Sequence, residues 1–159
     1  MLLGMATSSA WAGNDNAKVP ADSLHTYQLQ TVVVASTRAG NKTPMAFQNV
    51  SRKELQSVNF GKDIPYLLSL TPSVITTSDA GNGIGYTTLR VRGTDPSRIN
   101  ITVNGVPQND AESSGLYWVN MGDFASSVQS MQIQRGVGTS TNGAGAFGAT
   151  VNMLTENIG

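Results

Sequence analysis

Two stretches of the chain alternate like β-strands and then end in Arg-Gly: Leu89-Arg90-Val91-Arg92-Gly93 and Met131-Gln132-Ile133-Gln134-Arg135-Gly136. Period-2 alternation assigns Leu89 and Val91 to one sheet face and Arg90 and Arg92 to the other. Met131 and Ile133 likewise share a face, with Gln132 and Gln134 opposite. A guanidinium at a strand end, beside glycine, stands next to backbone that a partner can approach closely. Burying it is costly unless a carboxylate meets it. Where those carboxylates lie is the question the chain poses.

A chain of 159 residues supplies one modest core. Only 13% of its residues are charged, about half the usual share of roughly 25%. Glycine, serine, threonine and asparagine fill the gap, as suits either a domain packed inside something else or a low-charge secreted domain; composition does not separate the two. Formal net charge is zero and no basic run occurs, which argues against a nucleic-acid partner. Cysteine is absent, so disulfide and thiolate chemistry are excluded. No apolar run approaches the roughly 20 residues of a transmembrane helix.

Residues 1–12 resemble part of an export signal. Met1 to Ala6 is short and apolar, and Ala10-Trp11-Ala12 fits the small-x-small cleavage pattern, although no basic residue precedes Lys18. Residues 13–42 read as a flexible leader, and His25 within it as a solvated histidine. The leader is interrupted by Thr31-Val32-Val33-Val34-Ala35, whose three valines favour extended backbone. The run is either a first edge strand or a strand that pairs with the sheet edge of another protein.

Ser51-Arg52-Lys53-Glu54 has the form of a capping box and predicts a short helix through about Ser57. A second helix is expected from Asp63 to Leu70, with Leu67, Leu68 and Leu70 on its apolar face and Pro72 closing it. Strands are expected at Val74–Thr77, Thr87–Arg92, Arg98–Val103, around Met131, and at Thr150–Leu154. Asn104-Gly105 is a short-turn signal, and Asp123 is placed to cap a short helical turn. Mixed short helices and strands of this extent predict a compact α+β domain with a small mixed sheet.

Gly143-Ala144-Gly145-Ala146-Phe147-Gly148 matches the dinucleotide fingerprint, but a strand pattern follows where a helix is required. One histidine and no cysteine leave no nucleophilic triad. Asp110, Glu112 and Asp123 lack the spacing of a calcium loop and read as solvated acids. Neither enzyme activity, cofactor nor metal is expected.

In order along the chain, Leu67-Leu68-Ser69-Leu70-Thr71-Pro72-Ser73-Val74, Arg92-Gly93, Ile99–Pro107, Ile133-Gln134-Arg135-Gly136 and Gly143–Asn152 resemble the motifs of TonB-dependent outer-membrane receptors. They are similar to the plug, a small α+β unit seated inside a barrel of about 22 strands. The chain has Gln132-Ile133-Gln134-Arg135-Gly136-Val137 where the family often has Glu-Val-x-Arg-Gly-Pro. The resemblance implies a plug over residues 43–155, with 156–159 starting a linker to a barrel. At roughly ten residues per strand that barrel needs at least about 220 further residues. It implies that Thr31–Ala35 is the TonB box, pairing with TonB's periplasmic domain. It implies that Arg92 and Arg135 lock the plug to barrel carboxylates, expected beyond Gly159.

External loops Ser78–Tyr86, Thr94–Arg98 and Gln108–Trp118 would then face the ligand. Asn82, Tyr86, Asp95, Asn109, Asp110, Glu112, Tyr117 and Trp118 are the candidate contacts, with Tyr117 and Trp118 equally readable as core aromatics. The cargo implied is a small molecule or glycan: a siderophore, cobalamin, haem or an oligosaccharide, taken up at the outer membrane. The alternative is a free-standing periplasmic module that engages TonB without transport.

Overall fold

A computed structural model describes residues 38–138, 142–143 and 145–156. The signal-like segment, His25 and the valine run Thr31–Ala35 lie outside the described residues. Five strands form a mixed sheet: β1 (Ala46–Ser51), β4 (Ile99–Val103), β5 (Val106–Pro107), β6 (Val128–Arg135) and β7 (Ala149–Thr155), in the order β1-β6-β7-β4-β5. β4 and β7 run parallel and the other neighbours antiparallel. A separate antiparallel pair joins β2 (Val74–Ser78) and β3 (Thr87–Val91).

The α+β expectation is met, and the strands at β2, β3, β4, β6 and β7 fall where alternation placed them. Asn104 and Gly105 both take positive φ, 51° and 81°. That is the pairing a two-residue hairpin between β4 and β5 needs. Pro107 sits on the outermost strand, where its missing N–H costs no ladder bond.

Helix α1 (Arg52–Val58) starts from the predicted box: Ser51 Oγ accepts from the Glu54 N–H, and the Glu54 carboxylate accepts from the Ser51 N–H at 2.7 Å. Helix α2 is shorter than expected, Ile64–Leu67: beyond Leu68 the backbone bonds tighten to i→i−3, with the Ser69 N–H donating to the Tyr66 carbonyl at 3.2 Å and the Thr71 N–H to the Leu68 carbonyl at 2.9 Å. Leu67 and Leu68 enter the core. Leu70, expected on the same face, lies beyond the helix and is 82% exposed. Arg98 closes a 3₁₀ turn, Pro96–Arg98, ahead of β4 rather than starting that strand. Asp123 heads the turn Phe124–Ser127, but its carboxylate caps no N–H and takes the Ser126 hydroxyl at 2.6 Å instead.

Strand β1 had no sequence signal. Of its residues only Val50 is buried, so no alternation is visible.

Register stacks like with like across the sheet. Ile101, Val151 and Ile133 form one apolar row, and Val103, Met153 and Met131 another. On the opposite face Thr102, Asn152, Gln132 and Asn49 form a polar row, beside Asn100, Thr150 and Gln134. The apolar rows meet Leu55, Leu68, Leu89, Val91 and Trp118 in the core.

The polar face is buried too. Residues 38–39 cover part of it: the Ala39 N–H donates to Gln132 Oε1 at 2.6 Å, and Gln132 Nε2 donates to the Ala39 carbonyl at 2.9 Å. Arg38 donates to the Ser130 hydroxyl and carbonyl and to the Asn152 carbonyl, at 3.0–3.1 Å.

Candidate functional site

The three loops expected to face a ligand converge on one cavity of about 300 Å³. The β2–β3 loop contributes Asp79, Gly85 and Tyr86, with Thr87 and Thr88 at the start of β3. Asp95, Pro96 and Ser97 come from the turn before β4, and residues 113 and 115–119 close the other side.

Each wall is held by a different device. Asp63, just before α2, is buried and spends its carboxylate on the first loop. Its Oδ2 accepts from the Gly85 N–H at 2.9 Å and from the Thr87 hydroxyl at 3.0 Å. Its own N–H donates to the Gly83 carbonyl at 2.9 Å. Gly83 takes φ +83°, and a Cβ there would meet the Tyr66 ring at 3.0 Å, so only glycine suits the position. Asp63 was expected only as a helix start, and nothing local in sequence reveals a carboxylate that reaches more than twenty residues ahead.

The second wall is a self-capped turn. The Ser97 N–H and hydroxyl both donate to Asp95 Oδ1, at 3.0 and 2.8 Å. Those bonds hold the Asp95 carboxyl below its ordinary value, with the nearby Arg90 and Arg98 adding to them, so it is ionised at neutral pH.

The third wall is stapled by Asn109. Its Oδ1 accepts from the Ile101 N–H, and its Nδ2 donates to the Ile99 and Ser114 carbonyls, all at 2.8 Å. Asp110 turns back on the same loop, accepting from the Ser113 N–H and hydroxyl at 2.8 and 2.9 Å. The same serine lowers the Asp110 carboxyl from its ordinary value.

The eight candidate contacts therefore divide. Tyr86, Asp95, Tyr117 and Trp118 line the cavity. Asn109 and Asp110 build the loop, while Asn82 and Glu112 lie outside the lining. The two aromatics at the loop's end also part company: Tyr117 is 52% exposed, whereas Trp118 is 3% exposed and belongs to the core.

The two Arg-Gly stations meet. Arg92 is not a strand residue facing with Arg90: it follows β3 with φ +53° and is exposed. A Cβ on Gly136 would lie 3.3 Å from Arg92 Nη1, so the guanidinium of one station rests over the glycine of the other. Arg135 Nη1 donates to the Pro72 carbonyl at 3.2 Å, and its Nε is buried without an acceptor among the described residues. Among those residues the one ion pair is Arg52–Glu156, so neither Arg92 nor Arg135 has a carboxylate there.

Within the glycine-rich stretch, Gly138 and Gly148 stand where an added Cβ would be crowded by neighbouring side chains, whereas Gly143 and Gly145 face open space. A Cβ on Gly148 would lie 2.4 Å from Thr94 Oγ1, and β7 follows at once. The helix that a dinucleotide site needs is replaced by a strand. Among the described residues no cluster of His, Cys, Asp or Glu is arranged to hold a metal ion.

Residues 39–150 match the model of the TonB-dependent Receptor Plug Domain. A curated relative, the Probable TonB-dependent siderophore receptor PirA of Acinetobacter baumannii, is 23% identical over 141 residues, covering 82% of this chain and 19% of that one. Among solved structures, the pyoverdine-bound receptor FpvA of Pseudomonas aeruginosa superposes with a TM-score of 0.57 at 18% identity, over 73% of this chain and 14% of FpvA. The ferric enterobactin receptor PfeA of Pseudomonas aeruginosa gives 0.55 at 20% identity, over 77% and 18%. At such identities the superpositions show the fold. The chain spans about a fifth of the length of the curated relative it matches. With the family model covering most of the chain and the same fold recurring in receptor structures, the chain belongs to the TonB-dependent receptor plug domains.

Proposed function

We propose that this plug gates an outer-membrane receptor, blocks its barrel lumen, senses ligand at the three-loop cavity and couples to TonB through Thr31–Ala35. The observation that carries the reading is the convergence of three loops, distant in sequence, on one cavity whose walls are each fixed by internal hydrogen bonds. Preorganised loops on a rigid sheet are the usual setting for recognition. The related proteins are transport receptors, which supports a carrier role without chemistry on the cargo. Siderophore receptors among the relatives make a ferric chelate one candidate cargo, beside cobalamin, haem and glycans.

In this reading Arg92 and Arg135 meet carboxylates on the barrel wall. The buried Arg135 Nε without an acceptor supports it, since such a donor is costly to leave unmet. In the assembled receptor, Arg135→Glu is expected to loosen the plug and a barrel Glu→Arg change to restore it. Absence of rescue by every barrel carboxylate would remove the lock.

Pairing of Thr31–Ala35 with TonB would rest on main-chain bonds, which tolerate many side chains but not proline. Titrating TonB's periplasmic domain with the chain tests the coupling. The wild type is expected to bind, and Val33→Pro to weaken binding at least tenfold. Equal affinity for the two chains sinks the segment's assignment.

A further inference from the structure

The chemistry of the cavity narrows the cargo, an inference that rests on the receptor reading above. Its charged lining groups are Asp79 and Asp95, and neither lysine, arginine nor histidine lines it. Asp110 and Glu112 stand in the third loop, so three loops that carry four acids, Asp79, Asp95, Asp110 and Glu112, carry one cation, Arg98. That guanidinium lies over the Phe147 ring at 5.7 Å. Arg90 and Arg98 act on Asp95 from outside the lining and offset part of its charge.

A polyanionic chelate brought to this surface meets like charge, which works against binding. What the cavity does offer is aromatic faces and acceptors. Tyr86 and Tyr117 are 66% and 52% exposed, large areas for rings that ordinarily seek cover. Asp95 commits only Oδ1 internally, leaving Oδ2 free, and the Asp79 carboxylate takes no hydrogen bond among the described residues. Hydroxyl donors on a ring with an apolar C–H face satisfy both kinds of group at once: the face stacks on tyrosine and the hydroxyls donate to carboxylate. A volume of about 300 Å³ sits at the small end of ligand cavities, roughly 300–1,000 Å³. It takes one ring-sized end of a larger cargo.

We propose that the three-loop cavity binds a neutral, polyhydroxylated ring, a saccharide unit, through Tyr86, Tyr117, Asp79 and Asp95, and rejects anionic ferric chelates.

The test is an amide-shift titration of the full chain with maltotetraose, xylotetraose and mannotetraose, and separately with a ferric tris-catecholate. At least one neutral sugar is expected to shift Tyr86, Asp95 and Tyr117, with affinity indifferent to salt, while the catecholate shifts none of them. Tyr117→Ala is expected to weaken that sugar at least tenfold, and Tyr117→Phe, which keeps the ring, less than threefold. Retained shift dispersion in both variants shows that the fold survives. Catecholate binding on the same amides, with no response to the sugars, overturns the saccharide assignment and leaves the receptor reading standing. A flat response to every ligand, or sugar shifts confined to other loops, overturns the assignment as well. The receptor reading itself stands or falls separately, on TonB binding and its loss in Val33→Pro.

Discussion

On one face of the five-stranded sheet Ile101, Val151 and Ile133 line up in register, at 3%, 0% and 0% exposure. On the other, one residue along each strand, Thr102, Asn152 and Gln132 line up at 3%, 2% and 2%. The two rows are equally dry and are held by different forces. The apolar row gains from exclusion of water, which is non-directional and scales with area. The polar row gains nothing from burial and survives because its groups find partners. The Thr102 hydroxyl donates to Asn152 Oδ1 at 2.6 Å, and Gln132 Nε2 donates to Asn49 Oδ1 at 2.7 Å. Gln134 Nε2 donates to Gln132 Oε1, and Gln134 Oε1 accepts in turn from Asn142 Nδ2, both at 2.9 Å. Damage to the first face should scale with the volume removed, and damage to the second with the number of partners stranded.

The largest effect is expected on the apolar face. Ile133→Ala removes a fully buried side chain from the centre of three strands and should cost about 2–5 kcal/mol. Ile133→Val should cost about 0.5–1.5 kcal/mol. Urea unfolding checks both, and a difference of less than twofold between them would break the volume argument.

Gln132 is the matching position on the polar face. It serves the Ala39 N–H and carbonyl, Asn49 and Gln134 at once. Gln132→Ala should cost about 1–3 kcal/mol, since each buried group left unmet bears its own desolvation cost. Gln132→Leu, which keeps the bulk, should be no better. If leucine restores stability, the face is held by packing after all and the contrast fails.

How much of this was legible in sequence follows from the same contrast. Alternation identified the Gln132–Gln134 face and the Met131–Ile133 face correctly, because the period of a strand is local. It did not show that both faces are covered, since the cover arrives from residue 39, more than ninety residues away, and from Asn142, which lies beyond the end of the strand. The capping box at Ser51 and the turn at Asn104-Gly105 were legible for the same local reason. Strand β1 was not, because an edge strand with one buried side chain carries no pattern. At the cavity, the three loops were legible as polar insertions between strands. Which of their side chains remain available was not: Asn109 looks like a ligand contact and spends its whole amide on the backbone. Asp63 reads only as the start of a helix, and its carboxylate serves a loop instead.

Thr150 gives a smaller and oppositely signed test. Its hydroxyl lies in the second polar row, beside that of Gln132, fully buried and with no partner among the described residues. Replacing an unmet hydroxyl by a methyl group of similar shape removes a desolvation cost without stranding a neighbour. Thr150→Val is therefore expected to be neutral or stabilising by up to about 1 kcal/mol. A loss of stability as large as that of Gln132→Ala would mean that Thr150 does take part in the network.

The smallest effect separates the polar face from the rim by pH. The rows of Asn, Gln and Thr contain no group that titrates between acid and neutral pH, so their bonds should hold as acid is added. The capping box at the head of α1 does contain one. The Ser51 N–H, then its hydroxyl, hold the Glu54 carboxyl below its ordinary value. A carboxyl lowered in the folded state contributes stability above its unfolded value and loses it as pH falls through the folded one. Glu54→Gln should remove that contribution at neutral pH, leave the stability at acid pH little changed, and so flatten the acid limb of the curve. Gln132→Ala should instead lower the whole curve by a constant amount. An acid limb that steepens or flattens in Gln132→Ala would show that the buried rows are coupled to an ionisable group, and the distinction between a titrating rim and a non-titrating interior would be lost.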